Sequence, residues 1–286
     1  MKIEEEVAVL SKPMPLITLL SDFGLKDPYV AEMKAVVLSL CPQARLVDIS
    51  HEVEKFNVRM GAFVLASAAS YFPEGTVHVA VVDPRVGTKR RAILVEAKDM
   101  FFIGPDNGLL MLAAERQGIR HVYNLTNRRF MLSRVSYTFH GRDVFAPVAA
   151  HLANGVKPSD FGLEISDYVV PRFVKPRLTK NALLGEVLHI DDFGNIVTNI
   201  SRAEFEKTGI QKDAMFRFRL RDKTIKLKFC LTYGEVSVGK SLALIGSHDF
   251  LEISINQRNA SKKFGAKVGD ALNVLAASSS TCFTNK

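Results

Sequence analysis

The run Val79-Ala80-Val81-Val82-Asp83-Pro84-Arg85-Val86-Gly87-Thr88-Lys89-Arg90-Arg91 decides how the chain is read. Four apolar residues of the kind found in a strand buried on both faces are stopped by an acid and a proline. The chain then turns through a glycine and leaves on two arginines, before Ala92-Ile93-Leu94-Val95 resumes the apolar pattern. An apolar run ending in Asp-Pro describes a central strand that delivers a carboxylate to its C-terminal edge, where open α/β sheets hold their ligands. Asp83 is therefore placed for chemistry. Taken alone, the stretch equally allows Asp83 to cap a turn and Arg90 to solvate a loop.

The flanking sequence repeats the strand-then-helix order. Leu16-Ile17-Thr18-Leu19-Leu20 reads as a first strand, followed by Ser21-Asp22-Phe23-Gly24 and a helix started by Asp27 as N-cap and Pro28 at the first helical position. Val30, Met33, Val37 and Leu40 continue at helical spacing until Pro42. A short strand at 46–49 leads to His51, an alanine-rich helix covers about 58–71, and strands follow at 77–82, 92–97 and 100–103. A helix over roughly 108–117 closes at Gly118, and another covers 144–153. This alternation predicts an α/β unit with a mostly parallel sheet over residues 16–170, after a loosely attached lead-in at 1–15.

Pro171 and Pro176 punctuate a stretch without period, read as a linker over 171–182. Beyond it, short strands separated by turns are predicted at 183–190, 195–200, 215–220, 224–230, 242–245, 250–255 and 271–274, a small barrel-like all-β domain over 183–286. Phe216, Phe218 and Leu220 alternate with Arg217, Arg219 and Arg221, and Ile225, Leu227 and Phe229 alternate with Lys226 and Lys228. That is a hairpin with one apolar and one basic face. Its aromatics alternate inward, so a solvated face is preferred over nucleic-acid binding, which calls for exposed stacking rings.

The 286 residues are 47% hydrophobic and 24% charged, as expected of a globular protein, with no apolar run near the roughly 18 residues of a membrane span. Glu4-Glu5-Glu6 stand where a secretory signal carries positive charge, so a cytoplasmic location is expected. The formal net charge of +8 is spread over both halves. Cys41, Cys230 and Cys282 are far apart and lack the spacing of a zinc or redox motif.

Polar clusters follow the strands: Ser21-Asp22 with Asp27, His51, Asp83 to Arg90, and His140-Gly141-Arg142-Asp143. No His-x-His, Asp-x-His or His-Glu-x-x-His spacing marks a metal site, and no Gly-x-Ser-x-Gly elbow, phosphate-binding loop or dinucleotide fingerprint is present. A carboxylate, a guanidinium and an imidazole remain. Together they can orient and polarise a water without a covalent intermediate, which suits displacement at a carbon bearing a good leaving group. His51 is read as structural.

Ser21-Asp22-Phe23-Gly24, Asp48-Ile49-Ser50-His51, Val82-Asp83-Pro84-x-Val86-Gly87-Thr88-x-Arg90-Arg91, Gly104-Pro105-Asp106-Asn107-Gly108, Phe139-His140-Gly141-Arg142-Asp143 and Asp191-Asp192-Phe193-Gly194-Asn195-Ile196-Val197-Thr198-Asn199-Ile200 occur in this order. From about residue 16 to 275 the set resembles the adenosine-forming S-adenosyl-L-methionine hydrolases, the hydroxide adenosyltransferases related to fluorinases and chlorinases. The resemblance implies an α/β domain, a C-terminal β-barrel, a homotrimer with sites between neighbouring subunits, and conversion of S-adenosylmethionine and water to adenosine and methionine without a cofactor or metal. It implies Asp83, Arg90 and His140 as the water-activating trio, Asp22 on the ribose hydroxyls and Phe56 against the sugar. Asp191, Asn195 and Ser247 would bind the methionine head, with Phe193 lining that pocket, and Asn256, Asn259 and Ala260 would meet adenine. The chain departs from the pattern at Arg85, where the family usually has glycine, and His248 matches no role. Halide transfer to the same carbon is the neighbouring alternative, and a non-catalytic S-adenosylmethionine-binding protein another. A carboxylate at Asp83 disfavours a bound halide.

Overall fold

Apolar strands alternating with helices build the first half of the chain, and short strands joined by turns build the second. The computed structural model describes residues 14–275, which divide into a unit ending at Val170 and a unit beginning at Pro171. Most of the expected lead-in, and Cys282, lie outside the described residues.

The first unit runs β1 (Leu16–Ser21), α1 (Tyr29–Leu40), β2 (Arg45–Ser50), α2 (Val58–Ala69), β3 (Val77–Val81), β4 (Ala92–Ala97), β5 (Phe101–Pro105), α3 (Met111–Gln117), β6 (Ile119–Asn124) and α4 (Ala146–Ala153). Its sheet has the order β2-β1-β3-β5-β4-β6. The ladders joining β2, β1, β3 and β5 are parallel, whereas β4 runs antiparallel to both β5 and β6. The sheet is thus mixed, with one reversed strand. Every residue of β3 is buried, as its continuous apolar run requires of a strand covered on both faces.

Helix α1 turns Val30, Met33 and Val37 inward. Its start differs from expectation: Pro28 already has helical φ and ψ and the first turn has no side-chain cap, while Asp27 lines a cleft instead. Helix α2 is capped by Asn57, whose side chain accepts the Met60 N–H at 2.9 Å. A Cβ at Gly61 would lie 2.7 Å from Leu109 and 3.1 Å from Val82, so this glycine lets α2 close onto the end of the central strand.

The second unit contains β7 (Arg177–Leu178), β8 (Ala182–Ile190), β9 (Ile196–Ser201), α5 (Arg202–Glu206), β10 (Met215–Leu220), β11 (Lys223–Phe229), β12 (Ser241–Ile245), β13 (Phe250–Ile255), α6 (Ala260–Phe264) and β14 (Ala271–Leu275). The order β14-β10-β11-β12-β13-β9-β8 returns to β14 through its pairing with β8, closing a barrel of seven strands. Closure leaves none of the seven as a free edge. Within the stretch read as a linker, Phe173 and Val174 are buried and β7 pairs with β8. Phe216, Phe218 and Leu220 point into the barrel core, while Met215, Arg217 and Arg219 are exposed and Arg217 stands opposite Lys226.

Candidate active site

The end of β3 is fixed before Asp83 leaves it. Asn107 donates its side-chain amide to the Val82 carbonyl at 2.8 Å. Asp106 accepts Arg91 Nε at 2.9 Å and the Val169 N–H at 2.8 Å. The Gly-Pro-Asp-Asn-Gly segment therefore clamps both ends of the loop that carries Asp83 and Arg90. Between them the loop turns at Gly87, φ +74°, where a Cβ would run into the Tyr137 carbonyl oxygen. Only glycine allows this approach of the loop to the segment bearing His140.

His140 begins a single π turn, Gly141–Phe145, ahead of α4. Such turns insert an extra residue and redirect a side chain, frequently at functional sites. The segment before it is anchored by Asp143, a fully buried carboxylate that accepts the Ser136 N–H at 2.8 Å and Arg142 Nε at 2.7 Å. Arg142 is held in turn by Glu32 of α1 at 2.7 Å.

These supports bring together three side chains separated by up to 57 positions in the chain. Arg90 donates both Nε, at 2.8 Å, and Nη2 to Asp83 Oδ2, and Nη2 also donates to His140 Nδ1 at 2.9 Å. The Asp83 and Arg90 side chains are each 4% exposed. A guanidinium only donates, so Nδ1 must accept, which places the proton of a neutral His140 on Nε2. Burial, and then the adjacent Arg90 charge, push this imidazole below its ordinary range. Asp83 Oδ1 is buried and has no hydrogen-bond partner among the described residues. A carboxylate oxygen left in this way is an unspent acceptor.

Asp83 and His140 line a cavity of about 370 Å3 together with Asp22, Tyr29, Phe56 and Phe139. Asp22 Oδ2 accepts the Phe56 N–H at 2.8 Å, and Lys55 Nζ donates to the Asp22 carbonyl. That bond holds Phe56 at φ +64°, a conformation uncommon for an aromatic residue, with the residue 68% exposed at the cavity rim. Phe23, Tyr29 and Phe139 form an edge-to-face group, Phe139 lying 5.6 Å from Phe23 and 5.1 Å from Tyr29. Sequence reasoning passed over Lys55, Tyr29 and Asn107 as site residues. Lys55 and Asn107 stand beside a candidate or inside a quoted motif, whereas Tyr29 carries no separate signal.

The remaining candidates lie in the second unit. Asp191 and Asn195 close the turn between β8 and β9: Asp191 accepts the Asn195 N–H at 2.8 Å and its side-chain amide at 2.9 Å. Phe193, at the tip, is 81% exposed. Gly194, φ +85°, leaves room for the Asn259 side chain, and the Ser261 N–H donates to the Gly194 carbonyl at 2.8 Å. Asn259 caps α6 through Lys262 N at 2.7 Å, and Ala260 is buried in the barrel core. Asn256 donates its amide to the Val236 carbonyl at 2.7 Å, and Ser247 sits in the β12–β13 turn. Sequence reasoning missed Glu252, a buried carboxylate accepting Tyr233 Oη and Ser254 Oγ, each at 2.7 Å. Its signal was an acid two residues from Ser254 in a strand whose other positions are apolar.

Comparison with known proteins places this geometry in a family. Residues 17–162 match the SAM hydroxide adenosyltransferase N-terminal domain and residues 185–273 the C-terminal domain. The (R)-S-adenosyl-L-methionine hydrolase of Salinispora tropica is 39% identical over 92% of this chain and 99% of its own. A fluorinase of an Actinoplanes species is 29% identical over 92% of this chain and 98% of its own. A crystal structure of an uncharacterized conserved protein from Thermotoga maritima, 40% identical, superposes with a TM-score of 0.80 over 91% of this chain and 99% of that one. With both family domains matched in order and a full-length relative at this identity, the chain belongs to the SAM hydroxide adenosyltransferase family.

Proposed function

We propose that this chain hydrolyses S-adenosyl-L-methionine to adenosine and L-methionine. Water oxygen attacks C5′, the C5′–S bond breaks with its electron pair passing to sulfur, and the water loses a proton. The sulfonium becomes a neutral thioether, so the leaving group needs no acid and the reaction needs no cofactor or metal. What the protein must supply is a water held in line with the breaking bond, an arrangement that can lower a barrier by up to about 7–11 kcal/mol in ideal intramolecular cases.

The observation that carries this reading is Asp83, a residue lining the cavity whose Oδ1 is buried and has no partner among the described residues, beside an Arg90–His140 pair whose mutual bond is already made. Oδ1 takes up the water's proton, and Arg90 and His140 keep the carboxylate oriented. The hydrolase names of relatives near 38–39% identity, against fluorinases near 29%, support water over halide as nucleophile. A carboxylate at that point also repels an anion.

Asp22 is assigned to the ribose hydroxyls and Phe56 to the sugar face. Asp191, Asn195, Ser247 and Phe193 are assigned to the methionine head, and Asn256, Asn259 and Ala260 to adenine. The working form is a homotrimer with sites between neighbouring subunits, an assembly supported by the exposure of Phe56 and Phe193. The described cysteines, Cys41 and Cys230, are free thiols, which supports a reducing, cytoplasmic setting. Chromatography after overnight incubation with S-adenosylmethionine tests the activity. Equimolar adenosine and methionine are expected, lost in Asp83→Ala and His140→Ala with the circular dichroism melt retained. Full activity in both variants, or halogenated adenosine on adding chloride or fluoride, overturns it.

A further inference from the structure

His140 also lines a second cavity, of about 410 Å3, into which Arg90 rather than Asp83 faces. Its lining includes three arginines, Arg90, Arg91 and Arg128, and no carboxylate. Arg91 is committed to Asp106 and Asp167. Arg90 spends Nε and Nη2 on Asp83 and His140, but its Nη1 meets only the Arg91 carbonyl, at 3.4 Å, among the described residues. On a side chain 4% exposed, that donor is poorly satisfied. Arg128 has no acidic partner among the described residues. The sequence reinforces the imbalance: between Glu115 and Asp143 there is no acid, while Arg116, Arg120, Arg128, Arg129, Arg134 and Arg142 occur.

We propose that this second cavity binds a small oxyanion-bearing ligand, a phosphate or phosphate monoester, between Arg90 Nη1 and Arg128, with Asn124 and Thr126 as uncharged donors. The charge of the lining excludes a sulfonium there and matches an anion. Because Arg90 is common to this site and to the trio, an anion on Nη1 shares the guanidinium with Asp83 and acts as an effector of turnover. The site itself rests on the cavity and its charge, not on the hydrolysis reading.

Inorganic phosphate titrated into the full chain, without S-adenosylmethionine, tests the site by calorimetry. Saturable binding is expected, weakened about tenfold in Arg128→Ala through loss of a charge-assisted contact and largely restored in Arg128→Lys. Adenosine should not displace the phosphate. Absence of saturable binding, equal binding by Arg128→Ala, or displacement by adenosine overturns the proposal, the last by locating the anion in the first cavity. In the turnover assay phosphate should change kcat with KM unchanged, and the change should vanish in Arg128→Ala. A rise in KM alone would also overturn it.

Discussion

His140 and His51 both stand between a carboxylate and a third polar side chain, yet the two groups differ in what they leave open. His51 Nδ1 is 2.7 Å from Ser21 Oγ, and its Nε2, which lacks an aligned hydrogen bond among the described residues, lies at ion-pair distance, 3.1 Å, from Asp48 Oδ1. Ser21 Oγ also accepts the Phe23 N–H, Asp48 takes Lys34 at 2.6 Å, and the His51 carbonyl accepts the Gly24 N–H at 2.7 Å. Composition alone would suggest a Ser-His-Asp nucleophile. The bonding shows a brace that ties the loop after β1 to the loop after β2. Around His140 the bonds converge instead on one oxygen of Asp83 and leave the other oxygen buried and free. On the proposed reading, chemistry depends on an unspent acceptor of a cavity-lining residue, not on residue types.

The sharpest way to break the comparison is to treat the two carboxylates alike. Asp83→Asn removes the open charged acceptor and should lower adenosine formation by about 10³-fold, within the range for losing a general base or an oriented charge. Asp48→Asn, at a partly exposed brace, should stay within about twofold. Comparable losses in the two variants would show that the distinction between open and closed groups is wrong.

A third histidine extends the comparison into the core. His78 is fully buried on β3, its Nδ1 2.7 Å from Thr18 Oγ1, its ring stacked 5.1 Å from Phe102 and its Nε2 without a partner among the described residues. Burial lowers its pKa from 6.5 to about 4. The folded pKa lies below the unfolded one, so the unfolded chain takes up this proton first. The stability from a neutral His78 is complete above pH 6.5 and is lost as pH falls towards 4, about 3 kcal/mol in all. Urea midpoints of the wild type and His78→Gln between pH 7 and 4.5 measure it: the wild-type decline should be the steeper, and parallel curves would assign the decline to other groups.

Arg90→Lys probes the link between carboxylate and imidazole. One ammonium cannot reproduce a fork that serves Asp83 through two nitrogens and His140 through one of them. A loss of about 10²-fold in kcat with little change in KM is expected for a group that fixes geometry and charge. A change confined to KM would mean that Arg90 binds substrate instead.

The strands were legible where period and burial agree. The hairpin β10–β11 follows from alternation, the other barrel strands from short runs set off by turns, and β3 from its unbroken apolar run. Strand β6 was not, because Ile119-Arg120-His121 carries a cation and an imidazole on the sheet edge, where one side of the strand is polar. The antiparallel pairing of β4 with β5 is legible in the connection itself, since residues 98–100 are too few for the crossover that a parallel pair needs, whereas the ladder with β6 was hidden together with that strand. The motif residues Asp83, Arg90 and His140 could be picked out one by one. Their bonding pattern could not, since it depends on a π turn and on Gly87 packing against the Tyr137 backbone, neither of which has a periodic signature.

The smallest expected effect isolates the brace. Ser21→Ala removes the hydroxyl facing His51 Nδ1 and leaves a 4%-exposed imidazole without that partner. Losing one member of a buried hydrogen-bonded pair costs about 1–3 kcal/mol. The lower end is expected, since the Phe23 N–H that Ser21 Oγ also serves lies in a half-buried turn. Thermal unfolding reads that cost, while adenosine formation at saturating substrate should be unchanged, because neither Asp83 nor its free oxygen moves. Ser21 is adjacent to Asp22, whose Oδ2 holds Phe56 at the cavity rim, so a rise in KM with kcat intact would show that the brace also sets the position of Asp22. A fall in kcat comparable to that of Asp83→Asn would instead make His51 part of the reacting centre, and the contrast between the two histidines would fail.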